Sequence, residues 1–174
     1  MVESRGDGSL KVLGLCGSLR EKSYNRALLN AARELLPAGM SLEICDIAAI
    51  PLFNEDVEDR GFPAPVVELR ARIAASDALL LATPEYNFSV PGVLKNAIDW
   101  ASRGDDQPFK GKPIAIMGTS PGAYGTARAQ YHLRQICLSL NAHPLNKPEV
   151  MIPNATAKFD ASPRLVDEAA RGQV

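Results

Sequence analysis

The chain has 174 residues, a net charge of −1 and 46% hydrophobic residues, values that favour one folded domain with a full core and exclude a disordered chain. The near-zero charge gives no reason to expect nucleic acid or an anionic membrane as a partner. No apolar stretch approaches the ~18 residues of a transmembrane helix. We therefore predict a loose polar tail over residues 1–9, a single domain over residues 10–174 and no membrane span.

The cysteines Cys16, Cys45 and Cys137 are odd in number and far apart, with no CxxC pair. Their apolar surroundings favour buried thiols in a reducing compartment, which we take to be the cytoplasm, over disulfides or a zinc site. His132 and His143 lack a cysteine or carboxylate at ligand spacing, so we predict no metal site.

Apolar runs and helix-periodic stretches alternate along the chain. The predicted strands cover residues 10–16, 41–47, 77–83 and 113–119, with a short fifth strand inside 142–150. The predicted helices comprise one that ends before Pro37, one over 65–76, one that begins near Pro91 and one over 126–140. The remaining predicted segments are a long connection over 48–62, a loop over 154–162 and a final helix over 163–171.

This alternation predicts a parallel sheet with helices on both faces, because right-handed crossovers place them there. With five strands, the best match is a flavodoxin-like three-layer sandwich of the α/β class with strand order 2-1-3-4-5. Ligands bind such sheets at the carboxyl ends of the strands. The segments that follow the first, third and fourth strands are therefore the candidate site.

The first candidate segment, GSLREKSYNR, follows the first strand. Gly17 permits a sharp turn, and Ser18, Ser23 and Asn25 offer hydroxyl and amide donors. The Arg20 guanidinium adds a positive charge with several N–H donors, and the first turn of the following helix adds backbone N–H groups that have no helical acceptor. The segment therefore suits a terminal monophosphate. It contains neither a Walker loop nor a GxGxxG fingerprint. An ordinary helix capped by serine or asparagine is the alternative.

The second candidate segment, PEYNFSVPG, lies between the third strand and the next helix. Pro84, Tyr86 and the backbone around Asn87 can give a flat aromatic ligand a wall and exposed amides. The alternative is a simple helix entry capped by Ser89. A catalytic acid is one interpretation of Glu85, although a solvated or interface carboxylate fits the position better.

The third candidate segment, GTSPGAYGT, follows the fourth strand and is rich in glycine. Its backbone can pass close to the other edge of the same ligand. A flexible turn is the alternative.

Taken together, GSLREKSYNRAL, TPEYNFSVPGVLKNAIDW and GTSPGAYGTARAQYHLRQ resemble the NADPH-dependent FMN reductase family, and within it the chromate- and quinone-reducing branch. The resemblance covers residues 11–153 and implies a flavodoxin-like fold, non-covalently bound FMN and NAD(P)H as hydride donor. The residues that it would place around FMN are Gly17, Ser18, Arg20, Ser23 and Asn25 at the phosphate, Pro84, Glu85, Tyr86 and Asn87 along the isoalloxazine, and Ser120 and Gly122 at its other edge.

The resemblance also implies an activity and an assembly. Hydride would pass through FMN to a small acceptor such as a quinone, free flavin, azo dye or chromate, with no obligatory catalytic acid or base. Arg128, Tyr131 and Glu149 match positions that connect dimers in tetrameric members, which implies a homodimer or homotetramer. A solvated helix face is the alternative for Arg128 and Tyr131. We also expect Phe88 and Trp100 to be exposed near a two-fold surface.

Two other functions fit the same fold. A flavodoxin-type electron carrier would bind FMN without NAD(P)H turnover of its own, although such carriers are strongly acidic and this chain is not. A binding or regulatory module would keep the fold and bind no flavin.

Overall fold

A parallel sheet forms the centre of the structure, a computed structural model that describes residues 9–174. Its strands are β1 (Leu10–Cys16), β2 (Met40–Cys45), β3 (Ala78–Ala82), β4 (Pro113–Thr119), β5 (His143–Pro144) and β6 (Val150–Ile152). They are ordered β2-β1-β3-β4-β5, and β6 also pairs with β4. The predicted flavodoxin-like order is therefore confirmed. The predicted tail over residues 1–9 lies, except for Ser9, outside the described residues.

The β5 edge of the sheet differs from the prediction. The single strand expected within residues 142–150 is two short strands, β5 beside the start of β4 and β6 beside its end. Pro144 ends β5, and Pro148 precedes β6. Because proline has no N–H to donate to a strand ladder, the pairing is interrupted between them.

Helices cover both faces of the sheet. They are α1 (Tyr24–Leu35), α2 (Glu55–Glu58), α3 (Ala64–Ala75), α4 (Gly92–Ala101), α5 (Ala127–Ser139), α6 (Ala155–Lys158) and α7 (Glu168–Arg171). On one face, α3 and α5 bury Leu69 and Leu133. On the other, α1 and α7 bury Leu28 and Ala170. The sheet is therefore the middle of three layers, as predicted.

The C-terminal segment is less helical than predicted. The expected helix over residues 163–171 is wrong in its first half, since only α7 is helical there, and the expected loop over 154–162 contains α6. Asp160 instead accepts hydrogen bonds from the backbone N–H groups of Ser162 and Arg164, both at 2.9 Å. The Arg164 N–H lowers the pKa of the Asp160 carboxyl. This local side-chain-to-backbone bonding competes with helix formation.

The long connection over residues 48–62 packs onto α4 and contains α2. The Pro51 carbonyl accepts hydrogen bonds from Asn96 Nδ2 at 2.8 Å and Trp100 Nε1 at 2.9 Å. Phe53 packs edge-on against Trp100, with the ring centroids 4.9 Å apart. Trp100 is therefore fully buried, and the prediction of its exposure is wrong. Phe88, by contrast, is 65% exposed, as expected.

All three cysteines are buried and unpaired. Burial raises the pKa of the Cys137 thiol to about 11, so it is a neutral thiol at physiological pH. Residues 9–174 contain no group of three or more His, Cys, Asp or Glu side chains placed to hold a metal ion. No helix in this part of the chain has the length and apolar character needed to cross a membrane.

Candidate functional site at the carboxyl edge of the sheet

The first loop, residues 17–23, leaves β1 in close contact with the end of β3. Gly17 N–H donates to the Ala82 carbonyl at 2.8 Å. A Cβ at Gly17 would lie 3.2 Å from both Pro84 Cδ and Leu94 Cδ2. The glycine therefore lets the first loop pack directly against the loop that follows β3.

Donors without protein partners gather in this first loop. Ser23 caps α1 by accepting Arg26 N–H at 3.3 Å, so the earlier N–H groups of the first turn have no intrahelical acceptor. Ser18 is buried, and its hydroxyl oxygen accepts Arg20 N–H at 3.4 Å, so the hydroxyl proton stays available to a ligand. The Arg20 guanidinium is exposed and forms no ion pair with the described residues. This donor set suits an anion.

Asn25 connects the start of α1 to the end of β4. Its Nδ2 donates to the Thr119 carbonyl and its Oδ1 accepts Thr119 N–H, both at 3.0 Å. Both ends of this buried amide are therefore engaged. For the predicted phosphate contact, Asn25 therefore has only its backbone N–H and its second Nδ2 hydrogen available.

The second loop, residues 83–91, contains a tight two-residue turn. Tyr86 and Ser89 exchange backbone hydrogen bonds at 3.1 and 3.0 Å. Between them, Asn87 and Phe88 have φ of 50° and 66°, as in a type I′ turn, which a bulky phenylalanine rarely adopts. Ser89 does not cap α4 as the helix-entry alternative requires. Its hydroxyl lies 2.9 Å from His132 Nδ1 on α5.

Glu85 caps α5 from the second loop. Its carboxylate accepts hydrogen bonds from the backbone N–H groups of Arg128 and Ala129 at 2.9 and 3.1 Å and from Arg128 Nε at 2.6 Å. The side chain is only 7% exposed. Glu85 is therefore not solvated, which was one of the two interpretations favoured from the sequence beside an interface carboxylate, and its carboxylate is not free to act as a catalytic acid. Only its backbone remains available to a ligand in the site.

The third loop, residues 120–126, is held against β6. Ser120 N–H donates to the Ile152 carbonyl at 3.2 Å, and its hydroxyl donates to the Gly125 carbonyl. Gly122 is exposed, and its carbonyl accepts Asn154 N–H at 3.2 Å. The loop thus offers a ligand the exposed backbone around Gly122, while the Ser120 hydroxyl proton is already used.

The three loops lie together because β1, β3 and β4 are neighbours whose carboxyl ends meet at one edge of the sheet. Thr83 N–H donates to the Met117 carbonyl at 3.0 Å, which connects the second loop to β4. Arg20 and Tyr86 therefore follow adjacent strands at the same edge. The Tyr86 ring is 47% exposed there.

Sequence reasoning missed three residues of this junction: Thr83, Gly118 and Thr126. A Cβ at Gly118 would lie 2.0 Å from Thr126 Oγ1 and 2.4 Å from the Thr83 carbonyl oxygen. Only glycine allows the second and third loops to meet over the end of β4. A glycine inside a predicted strand is a signal of such close approach, and it was present in the sequence.

One cavity lies away from this edge. It measures about 700 Å³, lies between α1 and the C-terminal segment, and is lined by Arg33 and Arg171 among others. A smaller cavity of about 270 Å³ lies between the first loop and the start of α4, is lined by Leu19, Leu52 and Gly92 among others, and contains none of the predicted FMN-contacting residues. Arg171 in the larger cavity is already bonded to the Leu165 carbonyl. We place the site at the carboxyl edge because the unpaired donors and exposed rings lie there.

Comparison with known proteins shows the family of the chain. The family model described as NADPH-dependent FMN reductase matches residues 10–157. The chain belongs to this family. The family prediction made from the three sequence motifs is therefore confirmed.

The relatives of this NADPH-dependent FMN reductase family member span nearly the same length. The chain is 62% identical over 162 residues to the NAD(P)H-dependent FMN reductase of Pseudomonas aeruginosa, covering 93% of this chain and 88% of that protein. It is 45% identical over 164 residues to a 2-hydroxy-1,4-benzoquinone reductase of Burkholderia, covering 94% and 89%. The solved structure of FerB, a flavoenzyme NAD(P)H:(acceptor) oxidoreductase from Paracoccus denitrificans, matches with a TM-score of 0.84 at 37% identity, covering 94% and 92%.

The residues present fit the FMN of this family. A phosphomonoester needs several donors and a cation. The first loop supplies the Ser18 hydroxyl, the first turn of α1 and Arg20, which forms no ion pair with the part of the chain that the structure describes. A planar ring needs two loops close enough to contact it together. The first and second loops pack together at Gly17, and the second and third loops meet at Gly118. Neighbouring loops are therefore close enough to contact one ring together.

The residues at the predicted tetramer positions have partners within one chain. Tyr131 OH donates to Glu149 Oε1 at 3.2 Å, and Lys147 Nζ donates to Glu149 Oε2 at 2.7 Å. The Lys147 hydrogen bond lowers the pKa of the Glu149 carboxyl. Arg128 joins Glu85 instead of this pair. The chain thus brings Tyr131 and Glu149 together, but not Arg128 with them.

Proposed function

We propose that this protein is an FMN-dependent NAD(P)H oxidoreductase whose acceptor is a quinone or free flavin. The family match and the names of the relatives support NAD(P)H, FMN and quinone chemistry. The observation that carries the proposal is the meeting of three loops with available donors at one edge of the sheet. When bound, FMN supplies the two-electron chemistry that lets hydride pass from NAD(P)H to an acceptor.

The chain's own residues would bind and orient the flavin. Ser18, Arg20 and the first turn of α1 would bind the phosphate, since their donors have no acceptor within residues 9–174. The backbone of residues 84–87 would lie along the isoalloxazine, with the Tyr86 ring as a wall. The backbone around Gly122 would contact its opposite edge. The protein needs no free carboxyl or imidazole at the site, because the chemistry belongs to the cofactor.

The proposal extends to azo dyes and chromate as further acceptors. Tyr86 at the site edge is 47% exposed, so part of this edge is open to solvent. An open edge does not select strongly for acceptor shape, since few protein groups surround the incoming molecule.

Reduction of the bound flavin without oxygen tests this proposal. We expect the protein with FMN to be yellow, and NADPH or NADH to bleach its absorbance far faster than that of FMN alone. A benzoquinone added afterwards should restore the absorbance. A flavodoxin-type carrier, the competing function, would bind FMN but show neither bleaching nor steady NAD(P)H oxidation. A protein that is colourless after incubation with FMN and removal of the unbound flavin would instead be a binding module.

We also propose that the protein is a homodimer or homotetramer. Phe88, Tyr124 and Tyr131 expose 65%, 70% and 52% of their surface beside the site, and exposed aromatic clusters mark protein interfaces. Arg128 and Glu149 lie in contact with these rings. Light scattering at micromolar concentration should give at least twice the chain mass of 18.7 kDa. The mass of a single chain would contradict the assembly.

The location that we propose is the cytoplasm. The three cysteines are buried and unpaired. Thiols stay reduced in that compartment, whereas oxidising compartments favour disulfides.

A further inference from the structure

The cap of α5 comes from an unusual place. The N-cap residue Thr126 makes no side-chain capping bond, and the first turn of the helix contains no acidic residue. Glu85, on the second loop, accepts the N–H groups of Arg128 and Ala129 instead. The helix start is thereby bonded to a residue that follows β3, although α5 itself follows β4. One buried carboxylate therefore joins the second and third loops.

Arg128 strengthens the same junction. Its Nε donates to Glu85 at 2.6 Å, and its guanidinium carbon lies 3.8 Å from the Phe88 ring centroid and 5.2 Å from that of Tyr124. Phe88 belongs to the second loop and Tyr124 to the third. The guanidinium thus contacts an aromatic ring in each loop while it is paired with Glu85. We call Glu85, Phe88, Tyr124 and Arg128 the brace.

The turn beside the brace needs such support. Asn87 and Phe88 both have positive φ, a conformation that persists only where the surrounding structure holds it. Glu85 anchors the chain before the turn, and the contact between Ser89 and His132 anchors the chain after it. Both of these contacts are made to residues of α5, so the position of this helix sets the position of the turn.

We propose that Glu85 is a positioning residue that, through the brace, sets the spacing between the two loops that would contact opposite edges of the isoalloxazine. This inference rests on the proposed function. The Glu85 carboxylate does not touch the flavin, since its hydrogen bonds are directed to α5. It acts by fixing the second loop to α5, the helix that follows the third loop.

Replacing Glu85 with glutamine tests the brace. An amide places an NH₂ group where one carboxylate oxygen now accepts, so at least one of the α5 donors loses its acceptor. We expect the FMN dissociation constant of Glu85→Gln to rise about tenfold, and the visible circular dichroism of the bound flavin to change. The matched control is Asp167→Asn, because Asp167 is also a carboxylate cap, accepting Ala170 N–H at 2.8 Å on α7. The control should lose thermal stability while its FMN affinity and flavin spectrum remain those of the wild type.

Arg128→Lys keeps the test decisive if Glu85→Gln does not fold. It leaves the backbone N–H groups for Glu85 but removes the planar group that contacts the rings of Phe88 and Tyr124. We expect weaker FMN binding, by about fivefold, with little change in the unfolding temperature. Wild-type affinity and flavin spectrum in either folded variant would overturn the brace and leave Glu85 a helix cap only. If the wild-type protein does not bind FMN, the proposed function itself is refuted. That result is measured on the wild-type protein alone, without either variant.

Discussion

Replacing Gly118 with alanine should destabilise the fold by more than about 3 kcal/mol. The new Cβ would lie 2.0 Å from Thr126 Oγ1 and 2.4 Å from the Thr83 carbonyl oxygen. The Thr126 hydroxyl accepts a hydrogen bond from Gln130 Nε2 at 3.0 Å, and Thr83 N–H is bonded to Met117. Neither group can move away without straining one of these hydrogen bonds. Urea unfolding followed by circular dichroism measures the loss.

Gly92→Ala is the matched control for this substitution. A Cβ at Gly92 would meet nothing within 4 Å, and the residue begins α4 with ordinary backbone geometry. We expect its stability to stay within about 1 kcal/mol of the wild type, because alanine lowers the entropy of the unfolded chain. Equal unfolding midpoints for Gly118→Ala and Gly92→Ala would show that the second and third loops do not meet over β4 as described.

Replacing Arg20 with alanine should weaken FMN binding by about 1.5–3 kcal/mol, which is roughly 10- to 150-fold in the dissociation constant. The guanidinium is exposed and unpaired within the described residues, so its removal disturbs no protein contact. The loss therefore comes from a charge-assisted bond to the phosphate. The FMN affinity of Arg20→Lys should lie between those of the wild type and Arg20→Ala, because lysine keeps the positive charge but lacks the planar guanidinium with its several N–H donors. Quenching of flavin fluorescence on titration gives the affinities.

Arg33→Ala is the control for this titration. Arg33 lies in the last turn of α1, donates to Asn30 Oδ1 at 3.2 Å and lines the larger cavity. Its loss should leave the FMN affinity within about twofold of the wild type. Weaker binding in Arg33→Ala, together with unchanged binding in Arg20→Ala, would move the flavin from the carboxyl edge to that cavity.

The fold and the meeting of the three loops at one edge followed from local signals in the sequence. Apolar runs that stop at Gly17, at Pro84 and before Ser120 marked the strand ends, and the parallel topology placed those ends at one edge. The burial of Trp100 also had a local signal, because it lies seven residues after Val93 and three after Ala97, on the apolar side of α4. That spacing outweighs the expectation of an exposed interface residue.

Other features depend on partners that are distant in sequence. Asn25 is bonded to Thr119, 94 residues away, and Glu85 to Arg128, 43 residues away. No spacing along the chain indicates that these polar side chains are used within the protein rather than for a ligand. The one-turn helices α2 and α6 were missed for a related reason, since helices this short owe their stability to tertiary contacts rather than to intrinsic propensity.

The most direct test of the account compares FMN with riboflavin, which has the same ring system and no phosphate. Because the phosphate would lie on the first loop, FMN should bind at least about 30-fold more tightly than riboflavin, and this advantage should largely disappear in Arg20→Ala. Equal affinities of the wild-type protein for FMN and riboflavin would contradict a phosphate site at Ser18, Arg20 and the start of α1.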